Sequence, residues 1–147
     1  MEYSTANTWY HICGVRDSAA GLLRVFVNGV EENTAAAGAA PVNTTQALQI
    51  GRSAVGGGSR YFEGMIEDVR IYNRTLTASK IANIFNAKGK DKNIDGLQRR
   101  WMMQENTTQA TATGAGTVVD KVNGITGTPT NTPNYADSHV SNRSRSS

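Results

Sequence analysis

The chain has 147 residues, 38% of them hydrophobic, with 15 glycines and a formal net charge of +3. That length holds one domain, and the glycine-rich, modestly apolar composition suits β structure with many turns rather than a large helical core. No apolar run approaches the roughly 20 residues a membrane helix needs, and the basic residues form no stripe interleaved with aromatics, which excludes a nucleic-acid groove.

In chain order, Trp9 to Asp17 reads as the first strand, with no signal peptide before it. Cys13, the single cysteine, excludes an internal disulfide and reads as a small buried hydrophobe. Asp17 to Gly21 makes a turn, and Leu22 to Val30 reads as a strand ending in the hairpin pair Asn28-Gly29. Ala35 to Ala40 and the triple-glycine stretch Ser53 to Ser59 read as loops, with a short strand at Leu48 to Gly51 between them. In the segment Tyr61 to Thr77, Glu67, Val69 and Ile71 share one parity, and Asp68, Arg70 and Tyr72 the other. Thr77 stands where an N-cap belongs, Ile81, Ile84 and Phe85 share a helix face, and Gly89 supplies a stop, so a helix is expected over 77 to 87. Val25, Val27, Ile50, Val69 and Ile71 are the expected core.

Lys90 to Asp95 reads as a polar linker. Beyond Glu105 the chain is dominated by Thr, Asn, Gly and Ala, a composition that orders only by adding strands to an existing sheet.

These pieces resemble a laminin-G-like domain of the concanavalin A-like superfamily. Trp9-Tyr10-His11-Ile12 is similar to that family's W-x-H-I strand, and Leu22 to Gly29 to its L-x-L-Y-V-D-G hairpin. Glu67-Asp68-Val69-Arg70-Ile71-Tyr72 with the capped helix after it is similar to the family's last strand and terminal helix. The resemblance implies an all-β fold, an antiparallel jelly-roll β-sandwich with one short helix. It also carries an inversion. The W-x-H-I strand belongs near the middle of such a domain yet stands here at Trp9. Asp95 to Glu105 resembles the family's first strand, Val119 to Thr128 the strand after it, and Pro133 to Asp137 the following loop. The expected organisation is a sandwich lacking its first strands at 1–90, a linker at 91–96, and an arm at 97–147 that supplies them, expected in a neighbouring subunit.

Catalysis has little support. His11 has no nucleophile or orienting carboxylate that a motif identifies, and the same is true of His139. Glu63, Glu67 and Asp68 are the candidate glycosidase carboxylates, and Glu63 and Glu67 share strand parity, but a retaining enzyme needs its two carboxyl groups about 5 Å apart in a substrate cleft, and the signature of those enzymes is missing. No enzyme activity and no cofactor are expected. Asp91 to Gly96 matches the first half of a calcium loop, but Met102 stands where the twelfth-position Glu belongs, so it reads as a polar turn, with a weak calcium site as the alternative that the family resemblance implies. Tyr61, Trp101 and Tyr135 are the aromatic candidates for sugar contact, with Trp101 read as core. Asn43, Asn73, Asn106 and Asn142 begin N-x-S/T sequons and are candidate glycosylation sites.

The expected function is a non-enzymatic structural subunit, extracellular or at the cell surface, whose partner is itself. Leu97, Trp101, Met103, Val119 and Ile125 of the arm are the expected subunit interface. Three other readings stand beside it: a carbohydrate-binding adhesion module, a virion decoration or tail protein, and one segment of a tandem array of repeats.

Overall fold

The computed structural model describes residues 5, 7–39, 47–53, 60–103, 111–112, 118–129 and 133–135. Among the described residues the elements are nine strands, mostly in antiparallel sheets, and one short helix, consistent with the expected all-β fold. It divides into two compact units, each built from two segments: residues 1–40 with 72–96, and residues 41–71 with 97–147.

The first unit holds a three-stranded antiparallel sheet in the order β1 (Ile12–Asp17), β2 (Leu22–Val27), β3 (Val30–Ala36). The β1–β2 turn is fixed by Asp17, whose carboxylate accepts the Ala20 N–H at 3.0 Å. The β2–β3 turn uses Asn28 and Gly29, both with positive φ, +51° and +83°. Asn28 also takes the His11 N–H on its side-chain oxygen at 3.0 Å. Only glycine fits at position 29, because a Cβ there would lie 3.2 Å from Ala82 Cα and from the Phe85 ring. The turn is thereby tucked against the helix α1 (Ala78–Ala87).

Helix α1 starts as the sequence indicates. Thr77 caps it, its hydroxyl accepting the Lys80 N–H at 3.3 Å, and a left-handed Lys88 followed by a left-handed Gly89 ends it. Ile81 and Ile84 pack with Val15, Phe26 and Leu76 into the unit's core, with Cys13 and Tyr72 against it. Burial raises the Cys13 thiol above its ordinary pKa, in keeping with its reading as a hydrophobe.

Two of the expected core positions are corrected. Val25 is 43% exposed and Ile71 is 37% exposed, whereas Phe26 and Val27 are buried and Ile50 and Val69 are half-buried. Strand residues alternate between faces. Helix α1 packs on the face that carries Val15 and Phe26, which puts Val25 on the opposite one. On β6 (Val69–Tyr72) the better buried parity is that of Arg70 and Tyr72, so Ile71 points the other way.

The second unit holds β4 (Arg52–Ser53) paired with β5 (Arg60–Tyr61), residues 69–71 of β6 paired with β7 (Leu97–Trp101), and β8 (Val118–Val119) paired with β9 (Thr126–Gly127). Three expectations shift here. Leu48 to Gly51 is not a strand, and the short strand begins one residue later, at Arg52. The strand expected over 95–105 stops at Trp101, since Met103 has φ +60°. Val119 to Thr128 is a turn closed into a hairpin rather than one strand, because Asp120 binds the backbone of the residues after it.

Candidate functional site

The arm has internal cohesion of its own. Asp120 is 1% exposed, and its carboxylate accepts three backbone N–H groups. Those of Arg100 at 2.7 Å and Val122 at 3.1 Å reach Oδ1, and that of Asn123 at 3.0 Å reaches Oδ2. Burial alone would raise this carboxyl, but the three donors outweigh it and hold it below the ordinary carboxylate value. The guanidinium of Arg99 lies 3.7 Å away. The hairpin is further sewn to β7 by Lys121 N–H donating to Arg100 O at 2.8 Å, and by the Asn123 side-chain amide donating to Gln98 O at 3.0 Å. Trp101 bridges Asp120 and is buried at 7% exposure.

Where β7 pairs with β6, a charged cluster spans the two strands. Asp68 sits just before β6 in the left-handed region, φ +52°, a conformation aspartate tolerates better than most residues. Its carboxylate is gripped by two arginine forks. Arg70 donates Nε to Oδ1 at 3.0 Å and Nη2 to Oδ2 at 2.6 Å. Arg100, from β7, donates Nε to Oδ1 at 2.8 Å and Nη2 to Oδ2 at 3.1 Å. The side chains of Arg70, Asp68 and Arg100 are only 8%, 12% and 19% exposed. Burial works to raise the Asp68 carboxyl, and the hydrogen bonds from Arg70 and Arg100 override it, so its pKa lies below the ordinary value. Two-point arginine–carboxylate bonds fix geometry as well as charge. Arg100 is thus held at both ends, by its side chain to Asp68 and by its backbone to the hairpin.

The residues singled out from the sequence fall as follows. Trp101 is buried, Leu97, Met103 and Val119 are half-buried, and Ile125 is 48% exposed. Asn73 is exposed in the turn after β6, its N–H donating to Gly96 O at 2.9 Å. Asn43, Asn106, Asn142 and His139 lie outside the described residues. Of the aromatic sugar candidates, Trp101 and Tyr135 are buried, and Tyr61 is 52% exposed. Tyr61 lines an open cleft of about 380 Å³ with Arg52, Arg60 and Phe62. The Arg52 guanidinium stands 5.8 Å from the Tyr61 ring centre. Glu63 and Glu67 do not share a strand, since β6 begins at Val69. In the Asp91 to Gly96 segment, Asn93 N–H donates to Asp91 at 3.2 Å, and Asp95 is taken by Arg74 and by Lys80. The described residues contain no group of three or more His, Cys, Asp or Glu placed to hold a metal ion.

Sequence reasoning weighed Asp68 as a carboxylate beside Glu63 and Glu67 but missed its pairing with Arg70 and Arg100, and missed the role of Asp120. Asp120 had a signal, the turn-forming run Asp120-Lys121-Val122-Asn123-Gly124. The pairing of Asp68 with Arg100 spans 32 positions and leaves no local trace.

A laminin-G-like family model, described as the concanavalin A-like lectin/glucanases superfamily, matches residues 2–82, more than half of the chain. The chain belongs to that family. Its domains are in general non-enzymatic binding modules, which supports a carbohydrate-binding or adhesion type of role, and they are typically extracellular or surface-located. The match ends within α1, so the likeness of the arm to the family's opening strands rests on its motifs alone. No helix among the described residues is long and apolar enough to cross a membrane. No curated protein and no solved structure matches the chain.

Proposed function

We propose that this protein is a non-enzymatic, surface or extracellular assembly subunit, in which the arm of one copy completes the sandwich of the next. One observation carries the reading. The β1–β2–β3 sheet leaves apolar side chains uncovered: Ile12 at 71% exposure, Val30 at 62%, Val25 at 43% and Leu23 at 40%. In a family built from facing sheets, such a face needs a cover.

The arm suits that role. Val122 and Ile125 are themselves 41% and 48% exposed, so the hairpin offers apolar surface of its own. In a single chain β7 pairs with its own β6; an exchanged arm re-makes that pairing in trans and lays its hairpin on the uncovered β1–β2–β3 face of the next copy. Such an exchange opens the turn at Lys88 and Gly89 and carries Asp95 and Gly96 along with the strand. The resulting contact is head-to-tail and generates a ring or a fibre.

Sedimentation over a concentration series tests the reading. The wild-type chain is expected to associate, and Val25→Lys with Ile12→Lys to leave folded monomers. A wild-type chain that stays monomeric throughout overturns it.

A second reading, glycan adhesion, is favoured by the exposed Tyr61–Phe62 pair beside Arg52 and Arg60, since sugars stack on exposed aromatic faces. Glycan-array binding by the wild type that is lost in Tyr61→Ala would support it. Virion decoration is a matter of location and uses the same assembly chemistry.

A further inference from the structure

We propose that Asn123 is a modification site: its side-chain amide is lost by reaction with the next backbone nitrogen and with water, and the acid so formed loosens the β8–β9 hairpin on β7. The chain carries two Asn-Gly pairs in nearly the same local sequence, Val27-Asn28-Gly29-Val30 and Val122-Asn123-Gly124-Ile125. Their intrinsic reactivity is therefore matched, and the fold is what separates them.

The reaction needs the glycine nitrogen to reach the asparagine Cγ, an approach that glycine leaves unobstructed because it has no side chain. The Gly124 nitrogen bonds to Asn123 Cγ, the Cγ–Nδ2 bond breaks, and the backbone proton departs with Nδ2 as ammonia. Water then opens the cyclic imide at either of its carbonyls, leaving aspartate or isoaspartate, and no oxidant or reductant is involved. At this site Asn123 and Gly124 are both exposed, and a Cβ on Gly124 would meet nothing within 4 Å. Two bonds must be released, Gly124 N–H to Asp120 O at 2.9 Å and the Asn123 amide to Gln98 O at 3.0 Å. An exposed turn opens that far without unfolding its unit. Asn28 is the opposite case. It is half-buried, its N–H donates to His11 O at 2.8 Å, and its amide oxygen accepts the His11 N–H at 3.0 Å. Gly29 lies so close to α1 that a Cβ there would stand 3.2 Å from Ala82 Cα. Bringing the Gly29 nitrogen to Asn28 Cγ breaks the bonds to His11 and undocks the turn from the helix.

The product alters a contact that fastens the hairpin. The Asn123 amide donates to the Gln98 carbonyl, and a carboxylate has no proton to donate, so that bond is lost and two acceptors face each other. The new negative charge also stands beside the Asp120 carboxylate, whose Oδ2 accepts the Asn123 N–H at 3.0 Å. Isoaspartate goes further, since it adds a carbon to the main chain inside the turn. The bonds of Asp120 and Lys121 to Arg100 remain, so the hairpin loosens rather than detaches.

The test holds the full-length chain for days in warm, mildly alkaline buffer. Peptide mass spectrometry follows conversion of amide to acid at each site, and labelling by an isoaspartate methyltransferase gives a second readout. Asn123 is expected to convert about tenfold faster than Asn28, the difference between opening an exposed turn and opening a packed one. In urea, where both segments are unfolded, the two rates should converge. Equal rates in the native chain, or Asn28 in the lead, overturn the assignment. A difference that persists unchanged in urea overturns it too, since the fold would then not be its cause. The consequence is read separately in Asn123→Asp, which carries the aspartate product from the start. Hydrogen exchange in residues 97–101 and 118–127 is expected to quicken about tenfold while α1 is unaffected. Unchanged exchange there would overturn the loosening of the hairpin.

Discussion

The two units of this chain are held together by different chemistry. The first, with β1–β2–β3 and α1, is organised around Phe26, Ile81, Val15, Leu76 and Ile84. Its ion pairs, among them Arg24–Glu31 and Lys80–Asp95, lie on the surface, where such pairs are worth little. The second has a smaller apolar core, Trp101, Ala112 and Tyr135 among its described residues, and relies on two carboxylates shielded from water, Asp68 and Asp120. A core of aliphatic and aromatic groups stabilises wherever water is excluded. A buried carboxylate stabilises only while its donors are in place and it keeps its charge. The first unit is therefore expected to be the less sensitive to pH and salt, and the second the more sensitive.

The largest effect that would test this contrast is in the first unit. Phe26→Ala should cost about 3–5 kcal/mol in urea unfolding, with no dependence on salt, as large-to-small core changes do. A salt-dependent loss would mean that the apolar core is not what holds the unit.

Asp120→Ala comes next. It leaves the N–H groups of Arg100, Val122 and Asn123 without an acceptor in a buried turn. Each unsatisfied buried donor costs about 1–3 kcal/mol, so a loss on the order of 3 kcal/mol is expected after partial hydration of the turn. Hydrogen exchange should show it in residues 97–101 and 118–127 and spare α1; equal loosening of both units would break the comparison.

Acid sharpens it further. The folded pKa values of Asp68 and Asp120 are lowered, so their contribution is fully present above the ordinary carboxylate range of about 4 and is lost as pH falls below it. Among the described residues, Arg70 and Arg100 face Asp68 and Arg99 faces Asp120. Near-ultraviolet dichroism of Trp101 should therefore fade below pH 4 before α1 melts. Asp68→Asn should remove part of that acid sensitivity, at a cost of about 2 kcal/mol for the weakened charge-assisted bonds. The smallest effect is at the helix end. Thr77→Ala removes the N-cap and should cost about 1 kcal/mol in the first unit alone.

The first unit was also the more legible in sequence. Asn28-Gly29, Thr77 and the Ile81–Ile84 spacing act through neighbours a few positions apart, and each does in the structure what its local chemistry requires. Val25 misled because alternation fixes that two faces exist but not which one is covered; the cover is α1, some fifty residues further on. In the second unit the informative contacts join Asp68 to Arg100 and Arg100 to Asp120, separated by 32 and 20 positions, and no local pattern encodes such pairings. Only the turn at Asp120 was within reach of local reasoning, as an aspartate followed by Asn123-Gly124.

The central claim is that the arm joins a neighbour, and mixed isotopic labelling tests it most directly. Copies carrying ¹³C-labelled aspartate are assembled with copies carrying ¹⁵N-labelled arginine, and magnetisation transfer is measured between the Asp68 carboxyl and the Arg100 guanidinium, with Arg100→Lys to assign the signal. Exchange between copies predicts transfer in the mixed assembly. A signal confined to chains carrying both labels, and silent in the mixture, would place the arm on its own chain and contradict the account.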